Sequence, residues 1–386
     1  MQIFKTITAL FGCFFLMTSW GSINKKTVLS SNKNISALKF LGEYDIPYNL
    51  KYKATTVGGL SGIDYDVKHN LYYFICDDKS EKNPARFYKA KIFITQKGID
   101  SIRFTDVINM LQPDNSPYPN NKQDAWHTPD PEAIRYNPVT KQLVWTSEGE
   151  RIVNAKDTIL ENPSVITMST KGKYINNFEL PDLFYMKPTA NGPRQNGVFE
   201  GMSFADNYKT VFVNVEEPLY DDGLRADLVD NNAYIRILKF DAATTKNSAQ
   251  YGYKLEPVAY PANPSTAFKI NGVPDILSIG NNKLLVIERS FSSGRLPCTI
   301  KVFIAGLDSA TNIKNISSLT DDNKSFIPVT KKLLLNMDNL GIYTDNIEGV
   351  TFGPTLPNGH KTLLFISDNN FNFIQKTQLL LFEVIE

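Results

Sequence analysis

Cysteine, histidine and tryptophan are scarce, with three of each in 386 residues. Beyond Cys13 only Cys76 and Cys298 remain, which allows one disulfide or two buried thiols and excludes a paired-cysteine zinc site. An excess of one charge is missing too: 41 basic residues face 40 acidic ones, a formal net charge of +1. No whole-molecule field draws the chain to nucleic acid or to an anionic membrane, so recognition must come from a local site and no nucleic-acid partner is expected. After the first twenty residues no apolar run is long enough for a transmembrane helix. There is no GxSxG elbow, Walker loop or HExxH helix. Ser61 and Ser290 therefore have no identifiable base, and a serine-esterase mechanism is a poor reading.

The amino terminus has the layout of a secretory signal peptide. One early cation, Lys5, precedes an apolar run over 7–17, followed by small residues at Ser19, Gly21 and Ser22 and the polar Asn24-Lys25-Lys26. A lipoprotein reading through Leu10-Phe11-Gly12-Cys13 would set the cysteine inside the apolar run rather than after it. The expectation is a signal peptide over 1–22, a linker over 23–37 and one domain over 38–386, exported to the periplasm or the extracellular space without a lipid anchor.

What is plentiful is strand-forming material. Hydrophobic residues make up 42% and aromatics 12% of the chain, with 18 Tyr and 24 Phe, enough for a large β-rich core. Five times, a short apolar strand opens on an acidic or small polar residue, turns, and returns as a second apolar strand that closes on an acid. The openings lie in Leu60-Ser61-Gly62-Ile63, Pro131-Glu132-Ala133-Ile134, Phe199-Glu200-Gly201-Met202, Pro274-Asp275-Ile276-Leu277 and Ile347-Glu348-Gly349-Val350. The closings are Cys76-Asp77-Asp78, Ser147-Glu148, Val215-Glu216-Glu217, Ile287-Glu288 and Ser367-Asp368. Openings recur after 71, 68, 75 and 73 residues without a helical pattern, which reads as an all-β propeller.

Each period has room for two further strands: 86–94 and 102–108, then 164–169 and 174–180, then 234–240 and 253–258, then 299–304 and 331–335. The last unit ends after 378–385 with three strands, and 38–46 can supply the fourth by pairing with the carboxyl-terminal strand, closing the ring without a free edge. Four-stranded blades, five in number, are expected; six would require a blade hidden in a long insertion.

Hairpin neighbours run antiparallel, so the opening and closing acids of each unit meet at one mouth. The longer loops, over 111–130, 148–163, 181–198 and 216–233, fall on that face, as functional loops on a rigid scaffold do. A single acid at a strand end commonly caps a turn or pairs with an arginine. Acids recurring at matched places argue for a site, because packed carboxylates repel unless protonated or compensated by a cation. Calcium, with six to eight oxygen ligands, suits such a ring; magnesium, smaller and more hydrated, suits it less. The expected ligands are Glu132, Glu148, Glu200, Glu216, Glu288, Glu348 and Asp368.

Taken in order, Gly58-Gly59-Leu60-Ser61-Gly62-Ile63, Asp130-Pro131-Glu132-Ala133-Ile134, Ser147-Glu148-Gly149-Glu150-Arg151, Phe199-Glu200-Gly201-Met202, Glu288-Arg289-Ser290-Phe291 and Asn346-Ile347-Glu348-Gly349-Val350 resemble the phytase-like domain family with esterase-like activity. The likeness runs from about residue 38 to the end. It implies a secreted, Glu- and Asp-rich propeller-like domain that hydrolyses phosphate esters or diesters.

Cations near the acids bear on substrate. Arg151, Arg289 and Arg295 follow closing acids and Arg194 precedes an opening one, so all four are expected at the mouth, either gripping a phosphate or neutralising a glutamate. His69 and His360 fall in turns on the far face, whereas His127 is expected at the mouth, as a general acid, metal ligand or substrate contact, or in a structural or solvent-exposed role. The function expected is calcium-dependent hydrolysis of a small-molecule phosphoric ester, with Glu132, Glu200, Glu348 and His127 in the catalytic set. A calcium-dependent lactonase or carboxylic-ester hydrolase uses similar parts. A binding propeller with a structural metal is the reading from another class. A monomer is expected.

Overall fold

A computed structural model describes residues 35–320 and 325–386 as five antiparallel sheets arranged in a ring, a five-bladed β-propeller. The signal-peptide expectation over 1–22 lies outside the described residues, as does the linker expectation except for 35–37. Among the described residues no helix is long and apolar enough to cross a membrane.

The first blade is Gly62–Asp66, Leu71–Ile75, Arg86–Thr95 and Gly98–Asn109. The second is Pro131–Asn137, Gln142–Ser147, Ser164–Ser169 and Tyr174–Asn177, and the third Phe199–Ala205, Thr210–Val215, Tyr234–Asp241 and Asn247–Lys254. The fourth is Ile276–Gly280, Lys283–Ser292, Thr299–Gly306 and Thr330–Asn336, with an added strand, Lys269–Gly272, on the far end of its second strand. Ile347–Phe352, Thr362–Ser367 and Thr377–Ile385 make the fifth, and Ala37–Ile46 completes it antiparallel to Thr377–Ile385. This strand closes the ring as the sequence pattern predicts, and no sixth blade is present among the described residues.

The second strands explain why the blades stack. Runs such as Leu363-Leu364-Phe365-Ile366 and Val211-Phe212-Val213 are buried on both faces, because every blade is covered by a neighbour on each side. The apolar clusters accordingly lie between consecutive blades, for example Leu285, Ile300 and Val302 of the fourth against Val350, Phe365 and Leu380 of the fifth. Cys76 and Cys298 are free and buried. Two strand positions differ from the sequence reading. The outer strand of the third blade is Asn247–Lys254 rather than 253–258, since its polar residues Asn247 and Gln250 are buried in side-chain hydrogen bonds that hydropathy does not register. A hairpin of Glu150–Val153 and Thr158–Glu161 rises from the second blade where a loop is expected.

At the axis, small residues let the blades touch. A Cβ on Gly62 would lie 2.7 Å from the Glu132 carbonyl oxygen, and one on Gly201 would lie 2.5 Å from the Asp275 Cα. Where the first, second, third and fifth blades carry Gly62, Ala133, Gly201 and Gly349, the fourth carries Asp275. Its carboxylate receives Arg135 Nη2 from the second blade at 2.8 and 2.7 Å, the Met202 N–H of the third at 3.3 Å and the Val350 N–H of the fifth at 2.9 Å. Arg135 Nη1 donates to the Ile63 carbonyl of the first blade at 2.7 Å. One ion pair thus reaches all five blades. Asp275→Ala should lower the unfolding free energy by about 3–5 kcal/mol, the cost of leaving a buried charge unpaired. In urea titrations Arg135→Met/Asp275→Ala should recover part of that loss but not all, because the Met202 and Val350 N–H groups still lack an acceptor.

Candidate functional site

Strand register places the acids. In each blade an inner-strand residue faces a second-strand partner at the same level: Ile63 and Phe74, Ile134 and Trp145, Met202 and Val213, Ile276 and Val286, Val350 and Phe365. Two positions before the first of each pair stand Ser61, Glu132, Glu200, Pro274 and Glu348; three positions after the second stand Asp77, Glu148, Glu216, Arg289 and Asp368. The repeated acids come from equivalent backbone positions; the first blade has a serine at the inner one, and the fourth departs at both with a proline and an arginine.

Local backbone geometry aims the inner glutamates. The register shifts between Pro131 and Ile134, between Phe199 and Met202, and between Ile347 and Gly349, so Glu132, Glu200 and Glu348 each sit in a β-bulge. A bulge bends the strand and redirects its side chain, and it removes backbone groups from the ladder. Neighbouring blades satisfy those groups: Ser61 Oγ donates to the Glu132 carbonyl at 2.8 Å, and Thr146 Oγ1 donates to the Glu200 carbonyl at 2.9 Å.

The mouth is a cavity of about 380 Å³ lined by seven carboxylates, Asp77, Glu132, Glu148, Glu200, Glu216, Glu217 and Glu348, with Arg225 and Arg289 as its cations. Carboxylate oxygens of Glu132, Glu148 and Glu200 lie within 4.8 Å of one another, and those of Asp77, Asp130 and Glu132 form a second such group. Arg289 Nη2 donates to Glu216 at 2.6 Å, and Nη1 donates to Glu348 at 2.7 Å and to Asn346. Glu148 accepts the Gly197 and Val198 N–H groups, each at 2.6 Å.

Burial among like charges raises the proton affinity of this set. Asp77, Glu132 and Glu200 are pushed well above the carboxylate range by desolvation and then by neighbouring acids. Desolvation raises Glu148 and Glu348 to about 8 and Asp368 to about 7, although Arg289 opposes the rise at the last two. An oxygen-only donor set of this density fits a hard divalent cation. Asp368 adds a buried Oδ2 with no protein partner.

Several predicted site residues lie elsewhere. Glu288 points to the opposite face of its strand from Arg289. It accepts Tyr253 Oη at 2.7 Å, Asn271 Nδ2 at 2.7 Å and Lys331 Nζ at 2.7 Å, so its lone pairs are spent inside the blade. Reading Asp275 and Glu288 as an opening and closing pair misplaces the fourth blade by one residue, which inverts inside and outside. His127 is mostly exposed on the loop after the short helix Asn121–Asp124, paired with Asp124 at 2.8 Å and outside the mouth. Arg151 donates to the Lys187 and Thr189 carbonyls, and Arg194 to those of Pro218 and Gly223; both lie over the Tyr220 ring, where they staple loops. Arg295 stacks on Tyr260 with 3.7 Å from guanidinium to ring centroid and does not line the mouth. Of the four predicted arginines only Arg289 faces the cavity.

Other residues of the mouth carry no signal in the strand pattern. The sequence cue for Asp130 is Asp130-Pro131-Glu132, two acids flanking the first residue of a strand; Asp130 pairs with Lys79 at 2.6 Å. Arg225 arrives on a loop and pairs with Glu217 at 2.6 Å.

A family model described as "Phytase-like: Esterase-like activity of phytase" matches residues 55–371. No curated protein matches the chain. Among solved structures, the endo-arabinase of Bacteroides thetaiotaomicron is similar at 12% identity and TM-score 0.42, over 88% of this chain and 98% of that one. An exo-beta-1,3-galactanase of Phanerochaete chrysosporium is similar at 12% identity and TM-score 0.43, over 89% of this chain and 65% of that one. The Dos1 propeller is similar at 8% identity and TM-score 0.30, over 90% and 95%.

The raised carboxyls fix a direction for pH dependence. Unfolded, Glu148 and Glu348 titrate at the ordinary 4.5 and Asp368 at 3.8; folded, they hold protons up to about 8, 8 and 7. Where the folded chain binds more protons, stability falls as pH rises. Their stabilising contribution is full below the unfolded values and is lost as pH climbs through the folded ones. In chelator, Tm should therefore fall between about pH 5 and about pH 8. Added calcium should raise Tm most at the alkaline end, by about 2.7 kcal/mol of stability at a hundredfold excess over Kd. Scanning calorimetry across this range checks both.

Proposed function

Because the chain belongs to the phytase-like family, we propose that its acidic mouth is the site of a metal-dependent ester hydrolase acting on a phosphoric ester, with calcium as the resident cation. The observation that carries this reading is the convergence of Glu132, Glu148 and Glu200, oxygens within 4.8 Å, in the lining of one open cavity. These three, with Asp77 and Asp130 sharing Glu132, are the residues that would hold the cation. When bound it would polarise the ester and lower the pKa of a water molecule.

The remaining groups divide the other tasks. Glu348 stands outside both carboxylate groups and receives Arg289 and Asn346 on the same oxygen, Oε1. Its other oxygen is left to take a proton from water, and a carboxyl raised to about 8 is matched to that task near neutral pH. As the water oxygen bonds to phosphorus, the bond to the leaving oxygen breaks and the proton held by Glu348 can return to it. Arg289 orients Glu348 and balances part of the mouth's charge. The amino-terminal pattern supports an exported enzyme, which would meet calcium at concentrations that weak extracellular sites require.

A carboxylic ester or lactone is the second reading. It is favoured by the shortage of uncommitted cations, since three of the four arginines expected to grip phosphate lie outside the cavity.

Turnover of bis(p-nitrophenyl) phosphate should vanish in chelator and return with calcium; undiminished turnover without metal would sink the mechanism. Glu348→Gln should lower kcat about 10²- to 10⁴-fold while calcium affinity, read by calorimetry, holds. Glu132→Gln and Glu200→Gln should instead weaken calcium binding, and loss of the calcium-induced rise in Tm reports that without any substrate.

A further inference from the structure

The mouth is not uniformly polar. On the side of the fourth blade it is walled by Phe268, Ile270 and Phe291, the apolar side chains among its lining. The wall is built by the added strand Lys269–Gly272, which pairs with the extension of the strand that carries Arg289: Ile270 faces Phe291 and Gly272 faces Arg289. Phe268 and Phe291 pack with ring centroids 6.3 Å apart, and Phe268 keeps 53% of its surface exposed. The strand fits closely against the acids, since a Cβ on Gly272 would lie 2.7 Å from Glu216 Cγ. An aromatic surface left open beside a charged centre loses favourable burial unless a ligand covers it.

Charge around the mouth limits that ligand. Against seven carboxylates stand two arginines, and both are engaged: Arg225 by Glu217, and Arg289 by Glu216, Glu348 and Asn346. Arg289 Nε is buried without a protein partner. Even with one calcium ion held by Glu132, Glu148 and Glu200, two engaged arginines and a divalent cation face seven carboxylates, so a ligand with several phosphates would add negative charge that the mouth does not offset.

Resting on the reading of the mouth as an ester-hydrolase site, we infer that its substrate is an ester with one negative charge or none, bearing an aryl or alkyl group that seats on Phe268, Ile270 and Phe291. Among phosphoric esters this selects an apolar diester over a polyphosphorylated polyol.

Three phosphates separate charge from apolar contact. Diphenyl phosphate is a monoanion with aryl groups, dimethyl phosphate a monoanion without them, and phenyl phosphate an aryl dianion above neutral pH. Titrated calorimetrically into the full chain in calcium buffer, diphenyl phosphate should bind at least tenfold more tightly than either of the others. Phe268→Ala/Phe291→Ala should erase its advantage over dimethyl phosphate and leave calcium affinity unchanged, which also shows that the variant is folded. The inference is overturned if phenyl phosphate or inositol hexakisphosphate binds more tightly than diphenyl phosphate, or if the double variant keeps the preference. Should the binding preference hold while no ester is hydrolysed, the catalytic reading fails and the ligand class stands. Should inositol hexakisphosphate prove the better substrate for hydrolysis, the catalytic reading stands and the ligand class fails.

Discussion

Five sheets that each lean on two neighbours need something at the centre that fixes their heights, and the Arg135–Asp275 pair does this. Asp275 stands where every other blade has glycine or alanine, in the space those small residues leave. Its two oxygens collect an arginine and backbone N–H groups from three other blades, while Nη1 of the arginine reaches the first. A buried ion pair is weak evidence for net stability, because desolvation offsets most of its attraction. Its value here is positional. A one-residue slip of any inner strand would leave a charge or an N–H without a partner, and such a slip would also turn a bulged glutamate away from the axis.

The same rigidity explains how the mouth can hold its charge. Seven carboxylates around about 380 Å³ repel one another, and a flexible rim would relax by splaying them into solvent. Glu132 and Glu200 cannot splay, since each is fixed in a bulge whose freed backbone groups are bonded to the adjacent blade or strand, and Glu348 is held through its carboxylate by Arg289 and Asn346. The repulsion is instead expressed as raised proton affinity. Held acids that bind protons too tightly are also acids prepared to exchange them for a cation, so the framework and the chemistry of the site are one arrangement seen from two sides.

Much of this was legible because propellers write their geometry periodically. Spacing near seventy residues, apolar pairs of strands and an acid at each end were enough for five blades, for closure by Ala37–Ile46, and for six of the seven mouth carboxylates, Asp77, Glu132, Glu148, Glu200, Glu216 and Glu348. What failed did so for identifiable reasons. The fourth blade has no bulge at the inner-glutamate position and has a shorter hairpin, so counting from acid to acid selects Glu288 where register selects Arg289. His127, Arg151, Arg194 and Arg295 sit on loops or past strand ends, where chain position says which face a residue is near but not what its side chain meets. Glu217 lies beside the periodic Glu216 in its closing motif, whereas Arg225 and Phe268 reach the mouth by loop paths that no period encodes.

The fourth blade is where the repeat departs from itself, and its departures cluster. It replaces the inner glutamate by Pro274, the spacer glycine by Asp275 and the outer acid by Arg289, and it adds a strand that brings Phe268 and Ile270 against Phe291. Blades that supplied only acids would give a ring of like charge with no preferred direction. One blade carrying the axial anchor, the balancing cation and the apolar wall gives the mouth a polarity, with carboxylate oxygens on one side and an apolar surface on the other. On the proposed reading, such a mouth would orient a substrate with its ester over the carboxylates and its apolar part against the wall, and orientation of that kind is what a rigid scaffold contributes to rate.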